Sequence, residues 1–380
     1  MTIGLYLHVP FCQSKCHYCS FYSIPNPSRG LVAKYLEGID KEIKLFSEML
    51  QPEEMKLETL YVGGGTPTFL NSNELKQMFK SIQANFSFEK LTEATIEINP
   101  NTCTEDELGA LKDLGINRVS LGAQSFDLKR LKAMGREHTP QQVERFLEWC
   151  EKIGLDNVGI DLIYGLPNQR ASDWRWELEQ AISLKATHIS LYGLKLEQGT
   201  KWQQMNEDGQ LIVPENDVQA AMYTEAVNLL TESGYDQYEI SNFALSGKQS
   251  KHNVNYWRMK PYLGIGPGAS SNLKGKRWSN LCDLERYCEK VQNDIMPIEE
   301  GEVVTRDIAM WEKVALSLRL STGLKLSEFN ETFGVDFNEV YGEKTEGLIK
   351  QGLIENNSHV ITLTHKGRLL GNEVFASFLL

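Results

Sequence analysis

The chain has 380 residues, enough for one large domain and a smaller one. Its 41% hydrophobic and 24% charged residues are those of a globular protein and exclude a disordered chain. A net charge of −12 leaves no basic surface for nucleic acid or anionic lipid, and no apolar run is long enough to span a bilayer.

The N-terminal MTIGLYLHVPFC has neither a basic n-region nor a long apolar stretch, so no signal peptide is read and a cytoplasmic location is expected. Six short strands are predicted over residues 4–9, 58–63, 93–98, 118–123, 158–164 and 188–193. They are apolar and β-branched nearly throughout, as strands buried on both faces are. Helical patterns lie between them. Leu36, Ile39, Ile43, Phe46 and Leu50 recur three or four apart and form one stripe. The segment 104–115 opens on Thr104 with Glu107 three residues on and closes on Gly115. Such βα units in series argue for a parallel sheet with right-handed crossovers over residues 1–240. Six units are two short of a closed eight-fold barrel, so the expected fold class is α/β, a partial (β/α)6 TIM-like barrel; a doubly wound open sheet is the alternative.

After about residue 240 the pattern changes. Residues 241–300 are rich in Asn, Ser, Gly and Trp and read as a loop-rich connection carrying HNVNYW at 252–257. Residues 301–380 read as three helices, a small hairpin around ENNSHVITLT and a last helix, which is winged-helix-like. That module holds 8 basic and 11 acidic side chains, so it lacks the positive excess of a duplex-binding face and reads as structural or partner-binding.

In either sheet arrangement chemistry belongs at the carboxyl ends of the strands. The unusual polar residues sit there: GGGTPT after the second strand, Glu97 and Asn99 at the third, Gln124 at the fourth, Asp161 and YGLP at the fifth. Cys12, Cys16 and Cys19 form C-x3-C-x2-C just after the first strand, while Cys103, Cys150, Cys282 and Cys288 are scattered. Three thiolates from one loop can ligate three irons of a [4Fe–4S] cube and leave the fourth iron open. A structural zinc would need a fourth ligand, for which His8 and His17 are the nearby alternatives.

The segments GLYLHVPFCQSKCHYCSF, YVGGGTPTFL, EINPNT, RVSLGAQSF, GREH, DLIYGLP, HISLYGLKLEQGT and GYDQYEISNFA cover most of the chain in order. Together they resemble the radical S-adenosylmethionine (SAM) superfamily, in the branch that contains oxygen-independent coproporphyrinogen III oxidase and its heme-chaperone relatives. The resemblance implies that SAM chelates the open iron, and that an electron from the reduced cube cleaves SAM to methionine and a 5′-deoxyadenosyl radical. It implies a cluster held by Cys12, Cys16 and Cys19. It also implies a SAM site built from Tyr6, Tyr18, Gly64, Gly65, Thr66, Glu97, Gln124, Arg136 and Asp161, with Gly63 and Asn99 beside them. The glycines equally suit a tight βα turn, and Arg136 with Asp161 equally suits a structural ion pair.

Two departures separate the branches. The oxidase carries a further cysteine two residues after the third, where this chain has Phe21, and an N-terminal arm that is expected to be absent here. HNVNYW resembles the HNxxYW motif of the heme chaperones, which implies His252 as an axial heme ligand with Tyr256 and Trp257 as flat faces for the macrocycle. A hydrogen-bonded histidine in a loop over the barrel mouth is the alternative. The implied function is a heme chaperone that binds a [4Fe–4S] cluster, SAM and heme and delivers heme to a hemoprotein, with peripheral contact to membrane proteins and no nucleic acid. The alternative is a porphyrinogen oxidase, for which Lys195, Lys201 and Arg258 would be cationic partners of the propionates. Whether SAM cleavage transforms a substrate, and the oligomeric state, stay open.

Overall fold

The computed structural model describes residues 2–379. Six parallel strands fall within a residue of the predicted spans: β1 Ile3–Val9, β2 Leu57–Gly64, β3 Glu93–Ile98, β4 Arg118–Gln124, β5 Val158–Tyr164 and β6 His188–Gly193. They pair in chain order, β1 with β2 through to β6. Beyond β6 lie β7 Asp236–Gln237 and β8 Asn242–Ala244, with β8 antiparallel on β6.

The segment 241–300 departs from the expected loop-rich connection. It supplies β9 Tyr262–Ile265, β10 Ser270–Leu273, β11 Lys276–Asn280 and β12 Ile298–Val303, with a helix at Lys251–Trp257. β9 lies parallel beside β1, so the parallel run has seven strands, and β10 to β12 continue it as an antiparallel meander. The polar composition that reads as loop belongs to an edge extension, where a strand needs only one apolar face. The sheet order β12-β11-β10-β9-β1-β2-β3-β4-β5-β6-β8-β7 does not return on itself, which is the open, partial barrel.

The strands are also less uniformly apolar than expected. Ile3, Leu5, Leu7 and Val9 of β1, Val119, Leu121 and Ala123 of β4, and Ile160 and Leu162 of β5 enter the main core. The alternate residues are polar: Tyr6 and His8, Thr59 and Tyr61, Thr95 and Glu97, Arg118 and Ser120, Asp161, His188 and Ser190. Side chains alternate across a strand, so one face carries the helices and the other lines the barrel interior with hydrogen-bonding groups.

The outer helices begin on side-chain caps. Asn71 accepts from Asn73 and Glu74, Thr104 from Glu107, and both form capping boxes. The predicted stripe of the first helix (Arg29–Met49) is buried at Leu36, Ile39, Ile43 and Phe46. From Arg306 a second core forms around Phe329, Phe337, Tyr341 and Phe378. It is built from three helices, a three-stranded antiparallel sheet (Leu324–Lys325, Val360–Leu363, Ile354–Asn356) and two short helices. Among the described residues no helix is long and apolar enough to cross a membrane.

Candidate functional site

The cysteine loop leaves β1 at its carboxyl end and is pinned from three sides. Phe11–Cys12 pairs with Ile24–Pro25. The backbone of the glycine run is laced to it, Gly65 N–H donating to Val9 O at 2.8 Å and Thr66 N–H to Phe11 O at 2.7 Å. Across the mouth, His17 N–H donates to Met134 O and Trp202 N–H to His17 O, both at 2.9 Å. The loop therefore bridges the turns that follow β2, β4 and β6.

The three glycines are required by close approach. A Cβ on Gly65 would stand 2.6 Å from the Phe11 carbonyl oxygen and 3.1 Å from Cys12 Sγ. Gly64 has φ +111°, and a Cβ there would meet the His8 ring at 2.6 Å. Thr66 Oγ1 donates to Cys12 Sγ at 3.6 Å and accepts from Asn99 Nδ2 at 2.8 Å.

Glu97 accepts from Tyr61 Oη at 2.8 Å and from Gly64 N–H at 3.0 Å. Burial, with the Asp161 carboxylate nearby, pushes its carboxyl up to about 7 against the pull of those hydrogen bonds. Asp161 is raised as well by burial and accepts from Ser120 Oγ at 3.0 and 3.2 Å. Arg136 points to Cys16 Sγ at 3.8 Å and donates to Gly122 O, and its Nε is buried without a partner. A polar hollow beside Cys16 is lined by Gln13, Asn99, Asn101, Arg136 and His138. Tyr6 donates to or accepts from His8 Nδ1 at 3.0 Å and lies against Tyr61 with ring centroids 6.1 Å apart. Tyr18 packs on Trp202 at 5.8 Å in an apolar cluster with Met134 and Leu166.

Models of known families match two stretches of the chain: the radical SAM superfamily over residues 6–180 and the HemN C-terminal domain over 304–370. The heme chaperone HemW of Lactococcus lactis is 37% identical over 99% of this chain and 97% of its own length. That of Bacillus subtilis is 35% identical over 98% of both. This chain belongs to the HemW family of radical SAM proteins. Among solved structures it is similar to coproporphyrinogen III oxidase (HemN) of Escherichia coli, with TM-score 0.87 and 25% identity over 100% of this chain and 90% of the other.

Membership in the radical SAM superfamily implies a [4Fe–4S] cluster and SAM. The residues present fit both groups. Three thiols free of disulfides share one loop. Beside them lie a glycine cradle with no room for Cβ atoms, a half-buried carboxylate and a guanidinium with an unpartnered nitrogen. The zinc alternative loses its fourth ligand. His8 is engaged by Tyr6 Oη and Tyr22 O, and His17 by Ala133 O and Lys201 Nζ. The alternative ion pair between Arg136 and Asp161 is not formed; among the described residues Arg136 reaches no carboxylate.

The HNVNYW motif lies away from the cysteine loop. It forms the helix Lys251–Trp257 and not a loop, and it closes the opposite end of the barrel. Glu93, the first residue of β3, accepts from the Lys251 and His252 N–H groups at 2.8 and 2.9 Å. The His252 ring is 1% exposed. It meets Thr59 Oγ1 through Nδ1 at 2.8 Å and Tyr256 Oη through Nε2 at 2.7 Å, so both ring nitrogens are hydrogen-bonded within the barrel. Tyr256 packs edge-on against Tyr262 at 4.5 Å, and the Arg319 guanidinium covers the Trp257 ring at 4.3 Å. Thr59 and the cysteine loop sit near opposite ends of the strands, five residues of β1 apart, which is about 17 Å. Arg258 ends the same helix, whereas Lys195 and Lys201 follow β6 at the mouth, so the three cations do not converge. Reading the sequence alone also misses Tyr61, the hydroxyl partner of Glu97, whose only local signal is its place in the β2 alternation.

Proposed function

We propose that this chain is a heme chaperone that holds a [4Fe–4S] cluster and SAM at the carboxyl ends of β1 to β5 and passes heme to a hemoprotein. The observation that carries the reading is the near full-length likeness to proteins named heme chaperone HemW. Phe21, 66% exposed where the oxidase has a further cysteine, supports it. Cys12, Cys16 and Cys19 hold the cluster, which when bound supplies the electron for SAM cleavage. The chain's own contribution is placement. The Gly64–Gly65–Thr66 backbone and Glu97 receive the methionine ammonium, Arg136 takes the carboxylate with its fork, and Gln124 and Asp161 take the ribose hydroxyls. Tyr6 and Tyr18 wall the site and exclude water. Heme is not assigned to His252, Tyr256 and Trp257: His252 is hydrogen-bonded to Thr59 and to the Tyr256 hydroxyl, and the Arg319 guanidinium covers the Trp257 ring.

The likeness to the E. coli oxidase favours a second reading, oxidative decarboxylation of coproporphyrinogen III. One assay separates them. Cluster-reconstituted protein is incubated anaerobically with SAM, reductant and coproporphyrinogen III, and in parallel titrated with heme. The expected result is heme binding without protoporphyrinogen; turnover above a cluster-less control overturns the chaperone reading.

A further inference from the structure

Gln124 closes β4 in a conformation that non-glycine residues rarely hold, with φ +66°, and the ladder to β5 slips between Leu121 and Gln124. Such a backbone persists only where its surroundings over-determine it. The next two residues are gripped by one carboxylate from outside the barrel. Glu177, on the helix Ala171–Ser183, is 1% exposed. It accepts from Ser125 Oγ through one oxygen and from the Phe126 N–H at 2.5 Å through the other. Ser125 Oγ in turn accepts from the Asp127 N–H at 3.0 Å. Arg130 stands 3.6 Å from Glu177 and 2.6 Å from Asp173, which balances the buried charge.

The consequence appears on the inner side of the strand. The strained turn brings Gln124 Nε2 over the bare Gly122, 3.1 Å from where a Cβ would stand. Arg136 Nη2 and Asn99 Oδ1 reach the same point at 3.0 and 3.2 Å. These three polar side chains gather beside Cys16 and Thr66, and the turn that carries Gln124 is held by the Ser125 N–H to Ala123 O bond and by the grip of Glu177 on Ser125 and Phe126. We infer that Glu177 is a positioning residue for the SAM site, acting through Gln124 without touching the cofactor. The inference rests on the reading of Gln124 as a SAM ligand.

The test uses reconstituted holoprotein and two readouts, the SAM dissociation constant by equilibrium dialysis and the change in the reduced cluster's EPR spectrum on adding SAM. Glu177→Ala and Gln124→Ala each weaken SAM binding about 10-fold or more, the usual size of an outer-shell loss. The double variant binds no worse than Gln124→Ala, because one effect runs through the other. Glu177→Gln, which keeps an acceptor for the Phe126 N–H, lies closer to the parent than Glu177→Ala. If Gln124→Ala binds SAM like the parent, the reading of Gln124 fails. If it weakens binding while Glu177→Ala does not, or if the two losses add, the inference on Glu177 falls. Should Glu177→Ala lose its cluster or not fold, Ser125→Ala removes one of the two grips. It weakens SAM binding in the parent and has no effect in the Gln124→Ala background; additive losses there refute the inference equally.

Discussion

Replacing His252 with Ala tests whether HNVNYW is a heme-ligating motif or the floor of the barrel. The ring makes two hydrogen bonds, to Thr59 and Tyr256, and lies tilted against Tyr61 with centroids 5.2 Å apart. Each hydrogen bond contributes about 1 kcal/mol net, and deleting a buried ring of this size costs roughly 2 kcal/mol more. The sum is about 4 kcal/mol, which at a urea slope of about 3 kcal/mol per M moves the barrel's unfolding midpoint down by more than 1 M. The loss also depends on pH. Burial holds His252 down to about 3, below its ordinary value, so the unfolded chain binds a proton that the folded one refuses. The ring's contribution is present above about 6.5 and falls by about 1.4 kcal/mol per unit as pH drops toward 3. The gap between parent and His252→Ala therefore narrows in acid. Urea unfolding at pH 7.5 and 5.5 measures both effects, and a heme titration of the folded variant at pH 7.5 shows unchanged affinity. A variant as stable as the parent that no longer binds heme would refute the structural account and restore His252 as the iron ligand.

Cys16→Ala removes one of three thiols, and after anaerobic reconstitution the cluster absorbance near 400 nm is lost; iron and sulfide retained at the parent's stoichiometry would discard the ligand set. Gly64→Ala forces a Cβ into the His8 ring at a backbone angle that favours glycine, so SAM affinity drops while the cluster still assembles. Equilibrium dialysis checks this, and parent-like affinity counts against the glycine cradle. Glu97 must be ionised to pair with an ammonium, and with its carboxyl raised to about 7 SAM binding weakens as pH falls below that value. Glu97→Gln flattens the profile, and an equally steep profile in that variant excludes the pairing. Glu42 is buried under Tyr287, Asn280 and the Gly266 N–H, and burial raises it to about 7. Its proton stabilises the fold fully below about 4.5, and that contribution, roughly 3 kcal/mol, is lost as pH rises through 7. The stability gap between parent and Glu42→Gln in urea therefore shrinks from pH 5 to pH 8, and a constant gap would be inconsistent with a protonated Glu42.

Much of the scaffold is a local matter. The six parallel strands are legible because their apolar runs are short and bounded by turns, and the helices because their stripes and caps lie within a few residues of one another. The cysteine loop is legible because its three thiols fall within eight residues, Cys12 to Cys19, and follow a strand directly. Chain order along a parallel sheet then places GGGTPT, Glu97, Gln124 and Asp161 at one rim without knowledge of a single contact.

The tertiary structure alone decides the rest. That β9 pairs with β1 depends on residues about 260 apart, Gly4 and Tyr262, and nothing local marks that meeting. Which face of each strand turns inward depends on register against its neighbours, so Thr59, Arg118 and His188 read as flaws in apolar strands until the barrel curves around them. HNVNYW shows the same limit: its residue types suit iron and a macrocycle, and only the fold reveals that Thr59 and Tyr256 hydrogen-bond both ring nitrogens of His252. Glu177 reads as one more acidic residue on a helix. Only its burial against Ser125 and Phe126 ties it to the strained turn at Gln124, because hydrogen bonds between distant segments leave no periodicity in the chain.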